Sequence, residues 1–135
     1  MSQFLQRQPP RRAPRANVRG EVSAVIQLEN RRQITAKLQQ LSITGGLLDL
    51  PAYLEERTWV RLTIYLSSSA VQAIAEMMFP MRVATAYRQP FRFTALGEEA
   101  LHSIDREVTD LLRQSLKPQP VDPRLRTPRY YFERW

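Results

Sequence analysis

Hydrophobic residues recur every second position along most of this chain. In residues 18–28, Val18, Val22, Ala24, Ile26 and Leu28 share one face, with Glu21, Ser23, Gln27 and Glu29 interleaved or flanking. Side chains on a strand point alternately to its two faces, so this pattern predicts a half-buried strand. The polar segment ENRRQ then predicts a turn, and Ile34, Ala36 and Leu38 resume the alternation in a second strand. GLLDL after the Gly45-Gly46 pair gives a third, and Val60, Leu62, Ile64 and Leu66 set against Arg61, Thr63 and Tyr65 give a fourth. SSSAVQAIAE fits either a loop or a short strand. MRVATAY and FRFTAL return to the strand pattern on either side of an expected Gln89-Pro90 turn.

A helical period occurs once, near the C-terminus. In EEALHSIDREVTDLLRQ, the residues Leu101, Ile104, Val108, Leu111 and Leu112 form one stripe. Glu98 and Glu99 open it and Arg113 closes it, as the helix dipole favours, with Gly97 marking its start. The expected fold class is mainly β: a six-stranded antiparallel β-barrel with one C-terminal α-helix.

Charge divides the 135 residues differently. The formal net charge is +7, yet residues 20–115 sum to −1, whereas residues 1–19 carry +5 and residues 116–135 carry +3. Both ends are also rich in proline and lack an apolar period. These shifts predict a flexible basic arm over 1–17, the barrel and helix over 18–115, and a Pro/Arg-rich tail over 116–135 ending in the aromatic RYYFERW. Eighteen of the twenty basic residues are arginine, whose planar fork suits phosphate and guanine better than a lysine ammonium does. An anionic partner is therefore expected.

Composition removes most catalytic chemistry. The chain has no cysteine, and its one histidine, His102, lies in the helical segment, read as a solvated position. No metal site, thiolate nucleophile or triad is expected from that inventory. The Glu55-Glu56 pair reads as part of a turn, and no glycine pattern matches a phosphate-binding loop. The expectation is a non-enzymatic protein without a cofactor. No apolar run reaches the roughly 20 residues of a membrane span, and the N-terminal residues lack a secretory apolar region, so a cytoplasmic protein without membrane insertion is expected.

Two short patterns remain. RRAPR places Arg11 and Arg15 four residues apart ahead of the first strand, with Arg12 between them. Gln40, Ser42 and Gly45, followed by Gly46, end the second strand in the order Gln-x-Ser-x-x-Gly, twenty-nine residues after Arg11. In these residues the sequence resembles the PilZ domain family, whose members carry Arg-x-x-x-Arg before the first strand and Asp/Asn-x-Ser-x-x-Gly at the end of the second. The resemblance extends over roughly residues 8–115 and implies a six-stranded barrel followed by a helix. It also implies that the chain is bacterial and a receptor for the second messenger cyclic di-GMP, changing conformation on binding and signalling to a protein partner. Arg11, Arg12 and Arg15 would then meet phosphate or guanine, while Ser42, Gly45 and Gly46 would form the rim beneath a base.

Gln40 departs from that pattern. It keeps a carbonyl acceptor but sets it one methylene further out than Asp or Asn would. Two other readings follow: a degenerate PilZ domain that acts as a protein-interaction module, with RYYFERW as a docking peptide, or a small barrel binding RNA or single-stranded DNA. Nucleic acid is disfavoured by the neutral body and by the absence there of aromatics interleaved with basic residues.

Overall fold

Alternating apolar residues close into a barrel because every strand has one face to bury. The computed structural model describes residues 13–116. In chain order these form β1 (Ala16–Gln27), β2 (Gln33–Ser42), β3 (Gly45–Leu50), β4 (Trp59–Tyr65), β5 (Ala70–Met77), β6 (Met81–Val83), β7 (Ala86–Leu96) and α1 (Glu98–Leu116). Strands lie in the order β3-β2-β1-β4-β5-β7, and β3 pairs with β7 to close a six-stranded antiparallel barrel. The short β6 is an extra strand, which follows β5 along the same side of β7. Closure removes the free edges that an open sheet of this size would present.

The core comes from the predicted faces. Ile26, Leu41, Leu48, Leu62, Ile64 and Met77 are fully buried. The helix lays Ile104, Val108 and Leu111 against β1, β2 and β5, whereas Leu101, expected on the same stripe, is exposed. Gly97 accepts the amide of Leu101 and so begins the helix. The described strands and helix overrun the expected domain limits slightly, since β1 starts at Ala16 and α1 ends at Leu116. No helix among the described residues is long and apolar enough to cross a membrane.

The expected Gln89-Pro90 turn is absent, and β7 runs straight through both residues. Proline is tolerated there because the chain opposite is between strands. Met77 pairs with Phe91 and Met81 with Arg88, so Pro90 faces the connection Met78–Pro80. Its carbonyl accepts the amide of Met78 at 2.8 Å, and its missing N–H points to the same side, where it costs no ladder bond. Gln89 is buried for a different reason: its Nε2 donates to the carbonyls of Leu54 (2.6 Å) and Met78 (2.8 Å), and its Oε1 accepts from Leu54 N–H (2.9 Å). It ties two loops to β7. The actual turn falls between Val83 and Ala86, inside the segment expected as one strand, with Ala84 at a left-handed φ of 52°. The ambiguous SSSAVQAIAE supplies β5, half of it buried.

Two bulges set the geometry of one end of the barrel. The β1–β2 ladder pairs Val22 with Leu38, and continuing that register would carry Asn17 to Ile43, past the end of β2. Extra residues around Gly20, at φ 69°, are looped out of β1, so Asn17 instead meets Gln40 and Ala16 meets Leu41. A second bulge at Gln39 shifts the β2–β3 ladder. Gln39 there donates to Asp49 at 2.7 Å, and Asp49 also holds Arg88 at 2.8 Å, raising the Arg88 guanidinium above its usual range.

Candidate functional site

The β2–β3 turn is held by its own serine. Ser42 is buried, and its Oγ accepts the amides of Thr44 and Gly45, both at 3.2 Å, while its hydroxyl lies within reach of Thr44 Oγ1 and the Gly45 carbonyl. A hydroxyl used this way replaces backbone partners that a two-residue turn cannot supply. The turn itself is Ile43-Thr44, both exposed, and the Thr44 carbonyl accepts Phe93 N–H from β7.

The structure requires glycine at both positions for room. Gly45 and Gly46 lie within β3, and neither has the positive φ that would call for glycine in a turn. Room is the constraint. A methyl on Gly45 would overlap the Phe91 carbonyl and stand 2.8 Å from Arg92 Cα, and one on Gly46 would overlap the Gln40 carbonyl and stand 2.9 Å from the Phe91 ring. Their bareness lets β3 close against β7. The approach that matters in this structure is therefore of backbone to backbone.

Register then gathers the charges. Ala16, the first residue of β1, pairs with Leu41, which brings the preceding Arg15 to the end of β2. Arg15, Thr44, Gly45, Met81 and Arg92 line a single cleft of about 870 Å³. Arg11 and Arg12 lie outside the described residues. Gln40 sits beside the turn, half-buried, and its Nε2 donates to Asn17 Oδ1 at 3.0 Å. Its Oε1 carries no partner among the described residues.

Sequence reasoning missed Arg92. It is the β7 partner of Gly45 and, on its other side, of Glu76. The Glu76 side chain is 12% exposed and accepts Arg92 Nη2 at 2.7 Å and Nε at 2.8 Å, while the Arg92 side chain remains 61% exposed. One edge of the guanidinium is thus fixed while most of the side chain stays exposed in the cleft it lines, and a guanidinium so held can stack on a planar ring. The signal was present in FRF, where an arginine between two phenylalanines must point outward if they point in. Only the β3–β7 closure brings it beside Gly45.

No family model matches the sequence, and no curated protein matches it either. Solved structures do. The PilZ domain of YcgR from Escherichia coli, solved with c-di-GMP, superposes with a TM-score of 0.68 at 18% identity, covering 79% of this chain and 95% of that one. The fold is that of a PilZ domain. The same PilZ architecture relates the chain to the Bacillus subtilis inhibitor of motility MotI (TM-score 0.64, 13% identity, 79% of this chain and 53% of that one). It also relates it to MrkH of K. pneumonia in complex with c-di-GMP (TM-score 0.68, 13% identity, 80% and 54%). The chain spans about half the length of these last two proteins.

Proposed function

We propose that this chain is a cyclic di-GMP receptor domain that binds its ligand in the Arg15–Arg92 cleft. The supporting observation is the β1 bulge: it resets the register so that Ala16 pairs with Leu41, and the preceding Arg15 shares a cleft with Gly45 and Arg92. YcgR and MrkH, which share the fold, were solved with c-di-GMP. In this reading Arg15, with Arg11 and Arg12 from the N-terminal segment, supplies forks for phosphate and for guanine O6 and N7. Arg92 supplies a flat cation against a base. Ser42 keeps the turn shaped from beneath, Gly45 leaves the cleft wall bare, and Gly46 lets the Phe91 ring pack behind it. Binding draws the N-terminal segment onto the barrel, and the changed surface is what a protein partner reads.

Calorimetric titration of cyclic di-GMP, beside GTP as a control, tests this. Arg15→Ala is expected to weaken binding at least about tenfold, near 1.4 kcal/mol, without altering the melting temperature. Unchanged affinity removes Arg15 from the site.

One observation favours the second reading, a degenerate domain used as an interaction module. Gln40, at the position where the family pattern has a shorter Asp or Asn, turns its amide toward the β1 neighbour Asn17 and donates to it. Absence of binding to the wild-type chain at millimolar cyclic di-GMP would select that reading.

A further inference from the structure

A second cleft, of about 1230 Å³, opens beside the β1–β2 hairpin. Gln27, Asn30, Arg31, Trp59 and Arg61 line it, from the β1–β2 hairpin and the start of β4. Trp59 is 60% exposed, an unusual state for the largest apolar side chain. It does not stand alone. Alternation along β4 buries Val60, Leu62 and Ile64 and leaves Trp59, Arg61, Thr63 and Tyr65 on the outer face, with Tyr65 half exposed. The aromatics and a base therefore do interleave on the body of this protein, contrary to the expectation drawn from the sequence.

The charges around Trp59 are uncompensated. Among the described residues, Arg31, Arg57 and Arg61 have no carboxylate within ion-pair distance, in contrast to Arg88 and Arg92. Glu29 is the one acid lining the cleft, and Glu76, the cross-strand partner of Trp59, is already held by Arg92. Arg31 and Arg57 also hold left-handed backbone, at φ 70° and 74°, which is uncommon outside glycine and costs on the order of 1 kcal/mol or more each. Ordinary turn chemistry would place glycine or asparagine at both.

We propose that this cleft and the outer face of β4 bind single-stranded nucleic acid. Trp59 is the stacking platform for one base and Tyr65 for another further along the strand. Arg31, Arg57 and Arg61 meet the phosphates, and the Gln27 and Asn30 amides face the base edges. An exposed aromatic flanked by unpaired guanidinium groups is what a strand of bases joined by phosphates requires. The +7 net charge draws a polyanion to the whole chain, and the β4 face gives it a place to stack. Glu76 stands between this site and the Arg15 cleft, paired with Trp59 on one side and with Arg92 on the other.

The test is fluorescence anisotropy of a short labelled oligothymidylate against the full chain, at low and then rising salt. Trp59→Ala and Arg61→Ala are each expected to weaken binding about tenfold, Trp59→Phe to retain most of it, and Arg15→Ala to change it little. In a Trp135→Phe background, the remaining Trp59 emission should be quenched on binding. The proposal is overturned by no binding at low salt, or by binding equal in wild type and Trp59→Ala, which would assign it to the basic ends alone. Equal displacement by poly-glutamate and by unlabelled oligonucleotide also overturns it, since the face would then read charge without stacking. Exposure of Trp59 makes misfolding an unsuitable explanation for a loss, and the Trp59→Phe variant controls for it.

Discussion

The two ends of this barrel each present a cleft beside a hairpin, but they are built by opposite means. At the β2–β3 end nearly everything is pinned: Ser42 satisfies its own turn, the glycines leave no room for a methyl, and Glu76 fixes one edge of Arg92. At the β1–β2 end, Arg31, Arg57 and Arg61 have no acidic partner among the described residues, and Trp59 is left in solvent. Groups pinned in this way lose little side-chain entropy on binding and discriminate by shape, and the ordering cost falls on the N-terminal segment. The unpinned one trades that selectivity for tolerance of any polyanion with rings. The same barrel therefore offers one end suited to a small, defined ligand and another suited to a repetitive one.

If the first end is pinned by packing, crowding it should do the most damage. Gly45→Ala forces a methyl against the Phe91 carbonyl, and backbone has no rotamer by which to retreat. Thermal or urea unfolding should show a loss of about 3 kcal/mol, the upper range for overpacking, and a change below 1 kcal/mol would mean that β3 and β7 are less tightly joined than described. Gln89→Leu should cost a comparable 2 to 3 kcal/mol, because it leaves buried groups of Leu54 and Met78 without partners. The matching change at the other end, Trp59→Ala, should alter stability by no more than about 0.5 kcal/mol.

These buried roles were the least legible in the sequence. Strands were readable wherever a buried face alternated with an exposed one, as in β1, β2 and β4. β5 was ambiguous because its run of small residues and its Glu76 break the alternation, and the structure buries that glutamate against Arg92. Pro90 suggested a turn because proline usually interrupts a ladder; whether it does depends on what lies opposite, a tertiary fact. The true turn at Ala84-Thr85 contains no glycine, asparagine or proline to announce it. Within the candidate site, Ser42 and Gly45 were found by their spacing, but their work on the turn and on closure was not. Arg92 was invisible as a site residue since it joins Gly45 only through the β3–β7 pairing, nearly fifty residues apart in sequence.

Affinity should separate the ends next. Arg92→Ala is expected to weaken cyclic di-GMP about tenfold, and Arg61→Ala to leave it unchanged within error; the reverse order would exchange the roles assigned to the two clefts. A smaller effect is expected at Gln40. Gln40→Asp gives up the exposed Asn17 hydrogen bond, worth roughly 0.5 kcal/mol, and gains a charged acceptor beside the turn. Binding should tighten a few-fold with melting nearly unchanged, and a melting drop without tighter binding would show that Gln40 serves only the β1–β2 ladder.

The most direct measurement is an amide chemical-shift map of the isotopically labelled chain titrated with cyclic di-GMP. The account predicts perturbations concentrated at Thr44, Gly45, Phe91, Arg92 and the residues around Arg15, with Asn30, Arg31 and Arg61 unmoved. Shifts centred on Trp59, or none at saturating ligand, would contradict the placement of the nucleotide at the pinned end of the barrel.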